Sequence, residues 1–330
     1  MFCKLLVRRA PLAMLLSGLM LSLPVAAESI DAYPSKPIQI VVPFPAGGTT
    51  DIIGRAFGQK LGERWGQAIV LENKGGAGGN IGTEHVVRAA PDGYTWSINT
   101  AAPVMINPHL YTNLKFDPLQ DLLPIVKVAD VQNVLVVHPS VPANNLTEFL
   151  AYAKSRSEPL FYGSTGVGTA AHLTSFILSQ RMGLDATHVP YKGAAALNDL
   201  IGGRVQFMFA TIPSVIGHIR AGKLKAIAIS TQQRSSALPD VPTVIQQGIP
   251  DFDMGTWYGF FVPKGTPRPI IDKVNAEVNT FLADPSVQEL LLTAGAEPVG
   301  PNSPEEFAGF LAKTSENWKA IVKSSGATPN

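Results

Sequence analysis

Short apolar stretches alternate along the chain with longer stretches whose apolar residues recur at helical spacing. The short stretches are rich in β-branched and aromatic residues, which favour strands. Eight of them predict strands: IQIVVPF (38–44), AIVLEN (68–73), TWSINT (95–100), VLVVHP (134–139), LFYGS (160–164), VQFMFA (205–210), LKAIAIS (224–230) and WYGFFVP (257–263). Strands separated by helices predict an α/β fold with mainly parallel sheets flanked by helices.

Helix boundaries are marked at several places. Thr169 precedes AAHLTSFILSQRM and Gly183 follows it, so a helix is predicted between them. The Asp-Pro pair at 284–285 predicts a second helix start, and SPEE at 303–306 forms a capping box for a third. The last two helices carry apolar stripes without a polar cluster, so we interpret them as structural.

The alternating pattern is interrupted twice, near residues 128–133 and again near 253–258, by the polar and glycine-containing segments DVQN and DMGT. These interruptions are where a chain would cross between two lobes. We therefore predict a two-lobed protein with a discontinuous first lobe, residues 28–130 and 255–330, and a second lobe of residues 131–254.

The first 27 of the 330 residues differ from the rest of the chain. Lys4, Arg8 and Arg9 precede a short apolar run at 10–25, which is followed by two alanines. This is the pattern of a signal peptide, with cleavage expected after Ala27 and export to the periplasm. A membrane anchor is the alternative, although the run is short for a span and contains two prolines.

Charge and cysteine content exclude several classes of protein. Removal of residues 1–27 leaves 23 basic and 25 acidic residues, a net charge of −2, which argues against a general nucleic-acid surface. The only cysteine, Cys3, is lost with the signal peptide, so disulfides, thiol nucleophiles and thiolate metal sites are not expected.

Four of the predicted strands end in loops of small and hydroxyl-bearing residues: PAGGTTD, AAP, TGVGTAAH and TIPS. Glycine lets a ligand approach the backbone, and the free amides at a helix start favour an anion. In open α/β sheets, ligands bind at the carboxyl ends of strands. The loops therefore predict an anion site, while the alternative is that Thr49, Thr50 and Thr169 are ordinary helix caps.

Signatures of enzymes and cofactors are missing from the sequence. The run GGAGGNIG (75–82) lacks the third glycine of a dinucleotide fingerprint, and the sequence contains neither a phosphate loop nor a nucleophile elbow. The six histidines are scattered. We expect no cofactor and no metal. His172, in a first helical turn, either donates to an anion or satisfies the backbone.

Several longer motifs carry a resemblance. The order YPSKPIQIVVPFPAGGTTDIIGR, ENKGGAGGNIG, APDGYTW, GSTGVGTAAHLTS, VPYKG, QFMFATIPS and ALPDVPT resembles the substrate-binding proteins of tripartite tricarboxylate transporters, the TctC or Bug family. The resemblance runs from about Tyr33 to the C-terminus. It implies a two-lobed periplasmic binding protein that closes on one small carboxylate and delivers it to the membrane components of such a transporter. We also expect a monomer.

The resemblance also implies which residues contact the ligand. They are Phe44, Ala46, Gly47, Gly48, Thr49, Asp51, Thr100, Ala101, Ser164, Thr165, Gly168, Thr169, His172, Tyr191, Ala210 and Thr211. Lys192 and Trp257 are further candidates. Family members often carry an acidic residue where this chain has Ala210, so we expect a ligand without an amino group there, either a di- or tricarboxylate or an aromatic carboxylate. Thr169→Val is expected to lower affinity with little loss of stability.

Two other functions remain open from the sequence. One is a secreted hydrolase of carboxylate esters or amides, for which Asp51, Ser164 and His172 would have to converge as a triad. The other is a periplasmic ligand sensor for a signalling partner, which would use the same binding chemistry.

Overall fold

The computed structural model describes residues 30–193, 195–325 and 327–329. The predicted signal peptide, its cleavage site after Ala27 and Cys3 lie outside these residues.

Strands and helices alternate over most of the described chain. The strands are Ile38–Val42 (β1), Ile69–Asn73 (β2), Thr95–Thr100 (β3), Leu122–Val131 (β4), Asn133–Val137 (β5), Leu160–Ser164 (β6), Ala186–Pro190 (β7), Phe207–Thr211 (β8), Lys225–Ile229 (β9), Thr256–Pro263 (β10) and Glu297–Pro298 (β11). The α-helices are Thr49–Trp65 (α1), Asn80–Val87 (α2), Asn107–Leu110 (α3), Pro118–Asp121 (α4), Leu146–Ser155 (α5), Ala170–Met182 (α6), Ala195–Ile201 (α7), Ile212–Arg220 (α8), Arg268–Leu282 (α9), Pro285–Ala294 (α10) and Pro304–Ser325 (α11). A 3₁₀ turn spans Ala77–Gly79 and a π-helical segment spans Ala102–Ile106.

The strands form two sheets, each flanked by helices, as the sequence predicts. The first has the order β11-β4-β10-β3-β1-β2, and the second has the order β7-β6-β8-β5-β9. We call the parts of the molecule built around these sheets lobe 1 and lobe 2. In both sheets a helix follows directly after a strand at the carboxyl end, which is where ligands of open α/β sheets bind.

Both sheets are mixed, which corrects the prediction of mainly parallel sheets. Among the described strand pairs, four are parallel and five are antiparallel. The antiparallel pairs arise where the chain leaves one sheet and returns to it. Strand β10 comes back from lobe 2 and inserts between β3 and β4, antiparallel to both.

Three strands were missed in the sequence. The apolar pattern that would predict β4 is interrupted by Pro124 and by two charged residues, Lys127 and Asp130. Pro124 is tolerated because it lies beside an irregularity in the pairing of β4 with β10. Strand β7 is a half-exposed edge strand with polar residues, and β11 has only two residues, so neither has a clear apolar pattern.

The two crossings between the sheets lie side by side. Strand β4 ends at Val131 and β5 begins at Asn133, while the chain returns through Met254 to β10. Asn133 Nδ2 donates to the carbonyl of Met254 at 2.8 Å, and Ser230 Oγ donates to the same carbonyl at 2.8 Å. The predicted lobe limits, at 130/131 and 254/255, stay a prediction.

The predicted helix boundaries are confirmed. Helix α6 begins after Thr169 and ends at Gly183, whose backbone is left-handed. The Asp284 side chain caps α10, and Ser303 and Glu306 exchange the two hydrogen bonds of a capping box at the start of α11. Helix α11 packs on β4 of lobe 1 and on α6 of lobe 2. Of the helices that the structure describes, none is long and apolar enough to cross a bilayer.

Candidate ligand-binding site

A cavity of about 110 Å³ lies between the two sheets, where the predicted loops meet. The residues that line it are Phe44, Pro45, Gly47, Gly48, Thr49, Thr50, Thr100, Ala102, Asn133, Thr165, Thr169, Ala170, Ala171, Gly193, Leu197, Met208, Ala210, Thr211, Ser214, Val215, Thr256 and Tyr258. All of these lining residues are of uncharged types. One bound water needs roughly 10–15 Å³, so the cavity has room for a small molecule.

Helix α1 begins at the cavity with its first amides uncapped. The cap position is Gly48, which has no side chain, and no side-chain cap hydrogen bond is formed. Thr49 and Thr50, the first two residues of the helix, both line the cavity and are almost fully buried. Their amides have no partner within the helix, because the first four amides of any α-helix lack one. They are therefore free to bind an anion.

Asp51 stabilises the turn before α1 from the side that does not line the cavity. Its carboxylate accepts hydrogen bonds from Gly47 N, Arg55 Nε and Asn73 Nδ2, all at 3.0 Å. Burial alone would raise its pKa, but the hydrogen bonds and the charge of Arg55 outweigh burial and lower the pKa. Asp51 does not line the cavity and supports the turn through these contacts, so its role as a ligand contact stays a prediction.

Helix α6 faces the cavity from lobe 2 and is capped. Thr169 Oγ1 donates to the carbonyl of Gly166 at 2.7 Å and accepts from the amide of His172 at 3.4 Å. This hydroxyl is thus already used by the backbone. The amides of Ala170 and Ala171, the first two of the helix, lie at the cavity wall and are available to a ligand.

A chain of hydroxyl groups crosses the cavity from one lobe to the other. The side chains of Thr49 and Thr50 lie near the Tyr258 hydroxyl; burial raises the pKa of Tyr258, and interaction with these two threonines opposes the rise. Thr49 Oγ1 lies 2.8 Å from Thr211 Oγ1, which lies 3.1 Å from Ser214 Oγ. Ser214 Oγ donates to the carbonyl of Thr211 at 2.7 Å. These hydroxyls therefore satisfy one another and link the lobes.

Helix α8 also begins at the cavity, but it has little to offer an anion. The amide of Ile212, its first residue, donates to the carbonyl of Gln132 at 3.1 Å. The second residue is a proline, which has no N–H. Of the first three residues, only Ser214 retains a free amide.

A stacked pair of histidines supports the start of α6. The rings of His172 and His188 lie 4.1 Å apart, His172 Nδ1 accepts from Gly168 N at 3.3 Å, and His188 Nε2 lies 2.7 Å from Ser164 Oγ. Burial lowers the pKa of His188 to about 4. Burial, with a smaller contribution from His188, lowers the pKa of His172 to about 3. Both rings are neutral at pH 7, and neither lines the cavity.

At the rim of the cavity, two glycines allow the lobes to approach each other more closely than a side chain would permit. A Cβ on Gly78, whose φ is +64°, would lie 2.6 Å from the carbonyl oxygen of Val167 in lobe 2. A Cβ on Gly193 would lie 2.5 Å from Pro45 Cγ in lobe 1. The GGAGGN run at 75–80 therefore forms part of the contact between the lobes.

Nine of the sixteen residues predicted as ligand contacts line the cavity: Phe44, Gly47, Gly48, Thr49, Thr100, Thr165, Thr169, Ala210 and Thr211. All four predicted loops contribute to it. Whether these residues bind a ligand stays a prediction.

The other seven do not line the cavity, and their contacts explain why. Ala46 is exposed, Ala101 lies in the core next to the lining residue Ala102, and Gly168 packs on Asn107. Tyr191 donates to Asp199 at 2.7 Å, which is away from the cavity. Asp51, Ser164 and His172 are held by the contacts given above.

Strand β10 and the crossing segments hold residues that the sequence interpretation missed. Trp257 was a candidate, but it packs against Phe307 and Phe310 of α11. Tyr258, one position on and therefore on the other face of the strand, lines the cavity together with Thr256. Asn133 lies at the other crossing. The predicted crossing points could have identified these residues, because strands that link two lobes form the floor of the cleft between them.

The triad required for the hydrolase hypothesis is not formed by Asp51, Ser164 and His172. Ser164 pairs with His188, and Asp51 is bound by Arg55 and Asn73. Within the described residues no group of three or more His, Cys, Asp or Glu side chains is placed to hold a metal ion. Lys192 is exposed and does not contribute to the lining.

Comparison with known sequences and structures supports the same interpretation. The profile of the tripartite tricarboxylate transporter family receptor matches residues 53–327. The chain is 36% identical to protein BugT of Bordetella pertussis over 304 residues, which is 92% of this chain and 93% of that protein.

Two solved structures are similar over nearly the whole chain. The R. palustris protein Rpa4515 with adipate has a TM-score of 0.87 and 33% identity, and the match covers 90% of this chain and 100% of that one. The periplasmic binding protein BugD has a TM-score of 0.85 and 36% identity, with 90% and 99% covered. The predicted two-lobed α/β fold is thereby confirmed.

Proposed function

The chain belongs to the tripartite tricarboxylate transporter receptor family, and we propose that it captures one small carboxylate between its lobes and presents it to the membrane components of such a transporter. Its relatives are solute-binding proteins, and one similar structure holds adipate. The observation that carries the proposal is the uncharged cavity at which α1 and α6 begin from opposite lobes.

The carboxylate would be held by backbone amides, not by a salt bridge. The amides of Thr49 and Thr50 in lobe 1 and those of Ala170 and Ala171 in lobe 2 are the candidates. Each charge-assisted hydrogen bond contributes about 1.5–3 kcal/mol. Three or four of them, less the cost of association and of holding the lobes together, correspond to roughly micromolar affinity.

Closure would be the signal to the transporter. A ligand that touches both lobes binds the closed state more tightly than the open one and so shifts the population towards closure. The hydrogen bond between Thr49 and Thr211 exists only when the lobes are together, and it adds to the same bias.

Calorimetry with a panel of organic acids and their amides tests the proposal. We expect the acids to bind and the corresponding neutral carboxamides not to bind. The reason is that the backbone N–H groups at the two helix starts interact with a negative charge, which the carboxamides lack. Equal affinity for an acid and its amide would contradict the proposal. Product formation from esters or amides during the same incubation would instead support the hydrolase alternative.

Export and assembly state are part of the proposal. Cleavage after Ala27 would give a mature protein that begins at Glu28, which mass spectrometry of the periplasmic protein would detect. We propose a monomer, because the ligand cavity is completed by the two lobes of one chain. Light scattering of the purified protein at the mass of a dimer would contradict this.

A further inference from the structure

We infer that the ligand is a short monocarboxylate with an uncharged aliphatic body, and this inference rests on the proposed function. Its basis is the chemical difference between two parts of the same cavity. One part holds the starts of α1 and α6, and the other part is an apolar wall of lobe 2.

The apolar wall consists of Leu197, Met208, Ala210 and Val215, all of which line the cavity. Met208 and Ala210 are two positions apart on β8 and therefore face the same side of the sheet. Leu197 comes from α7 and Val215 from α8, and all four belong to one hydrophobic cluster of lobe 2. The wall is thus a continuous apolar surface.

The hydroxyls beside this wall are already hydrogen-bonded, and Asn133, which pairs with Thr211, donates its amide N–H to Met254 and keeps only an acceptor, Oδ1, without a partner. Thr211 and Ser214 are the nearest hydroxyls in sequence, and both take part in the chain that leads to Thr49. Helix α8 retains one free amide among its first three residues, as described above. A second carboxylate needs several donors when it is buried, and this side of the cavity does not provide them.

An ammonium group would find no carboxylate beside the wall and one unpartnered side-chain acceptor, Asn133 Oδ1. Within the described residues no acidic side chain lines the cavity. A buried ammonium without a carboxylate or several acceptors is strongly disfavoured. A ligand that places methyl or methylene groups against the wall instead gains favourable burial of apolar surface.

The cavity volume favours an aliphatic body over an aromatic one. A cavity of about 150 Å³ in another protein binds benzene. The cavity here measures about 110 Å³ and must hold the carboxylate as well. Benzoate is therefore expected to bind more weakly than a four- or five-carbon acid.

A set of four-carbon probes tests the inference by calorimetry at fixed ionic strength. Butyrate, succinate and 4-aminobutyrate share one carboxylate and differ at the far end, while butyramide lacks the charge. We expect butyrate to bind at least about tenfold more tightly than succinate, 4-aminobutyrate or butyramide. Tighter binding of succinate or 4-aminobutyrate would overturn this inference and leave the proposed function standing. Equal binding of butyramide would instead contradict the proposed function.

A variant of the wall provides an independent test. Leu197→Ala enlarges the apolar part of the cavity at a half-buried position, so hexanoate should gain affinity relative to butyrate. Leu290→Ala removes an exposed leucine of α10 that is outside the cavity, and it should leave the ratio of the two affinities unchanged. An unchanged ratio in Leu197→Ala, with a normal melting transition, would overturn the placement of the aliphatic body against the wall.

Discussion

The starts of α1 and α6 face the same cavity, but they are built differently. Helix α1 has a glycine at its cap position and therefore no side-chain cap, and Asp51 holds the preceding turn in place. Helix α6 begins at Thr169, whose hydroxyl serves two backbone groups, and it rests on a pair of buried neutral histidines. A composition of glycine and threonine therefore does not define the role of a loop. What matters is which amides remain without an internal partner.

The largest effect is expected from giving α1 the cap that it lacks. Gly48→Asp would place a carboxylate where the ligand's carboxylate would bind, and an added Cβ meets only the carbonyl oxygen of Pro45, at 3.7 Å. Calorimetry should show at least a 100-fold loss of affinity, about 2.7 kcal/mol. The unliganded protein should melt no lower, since Asp is a good capping residue.

Gly48→Ser is the matched control for this change. Serine also caps the amides but adds no charge, so a smaller loss of affinity is expected. A Gly48→Asp protein that binds the acid as tightly as the unmodified protein would show that α1 does not hold the carboxylate.

Preventing closure should have the next largest effect. In Gly78→Ala the new methyl group would meet the carbonyl of Val167, so the two helix starts could no longer reach one ligand together. Calorimetry should show at least about a tenfold loss of affinity.

Gly222→Ala separates this effect from backbone strain. Its φ of +67° is close to that of Gly78, and an added Cβ meets nothing within 4 Å. Both variants should lose about 1–2 kcal/mol of unfolding free energy in urea. Similar affinities in the two variants would contradict a closure role for Gly78.

Removing the cap of α6 should affect stability more than binding. Thr169→Val loses two hydrogen bonds to the backbone, so unfolding free energy should fall by about 1 kcal/mol in urea, with less than a tenfold change in affinity. The structure thus revises the sequence-based expectation of little loss of stability. Thr169→Ser keeps the hydroxyl and should behave like the unmodified protein. A stable Thr169→Val with strongly weakened binding would restore the earlier expectation.

A separate prediction concerns acid stability, not ligand affinity. The pKa values of His172 and His188 are lowered to about 3 and about 4, so the folded state disfavours their protonation. Their contribution to stability is complete above the unfolded pKa of about 6.5 and is lost as the pH falls towards 4, by up to about 1.4 kcal/mol per pH unit for each ring. The pKa of Asp51 is lowered from 3.8, so the carboxylate that supports the start of α1 becomes protonated only at a pH below that value.

Urea unfolding at pH 7.5 and pH 5.0 measures how much unfolding free energy the protein loses on acidification. His172→Gln should reduce the loss of stability between the two pH values, whereas His85→Gln, at an exposed position of α2, should not. An unchanged pH dependence in His172→Gln would contradict the role of the buried pair.

The sequence predicted the four loops and the helix caps because glycine, proline and hydroxyl residues act locally. It could not predict β4, whose proline is tolerated only because of an irregular pairing with β10, a strand distant in sequence. It also could not separate Tyr258 from Trp257, because the face of a strand is decided by what packs on each side. Ala210 and Thr211 were predicted, but Leu197 and Val215 depend on how α7 and α8 pack.

In the proposed complex, uncharged amides from two opposed helix starts hold one carboxylate. A crystal structure of the protein with its bound acid tests this most directly. We predict carboxylate oxygens about 3 Å from the amides of Thr49 or Thr50 and of Ala170 or Ala171. A carboxylate paired with a lysine or arginine side chain, or bound outside this cavity, would contradict the account.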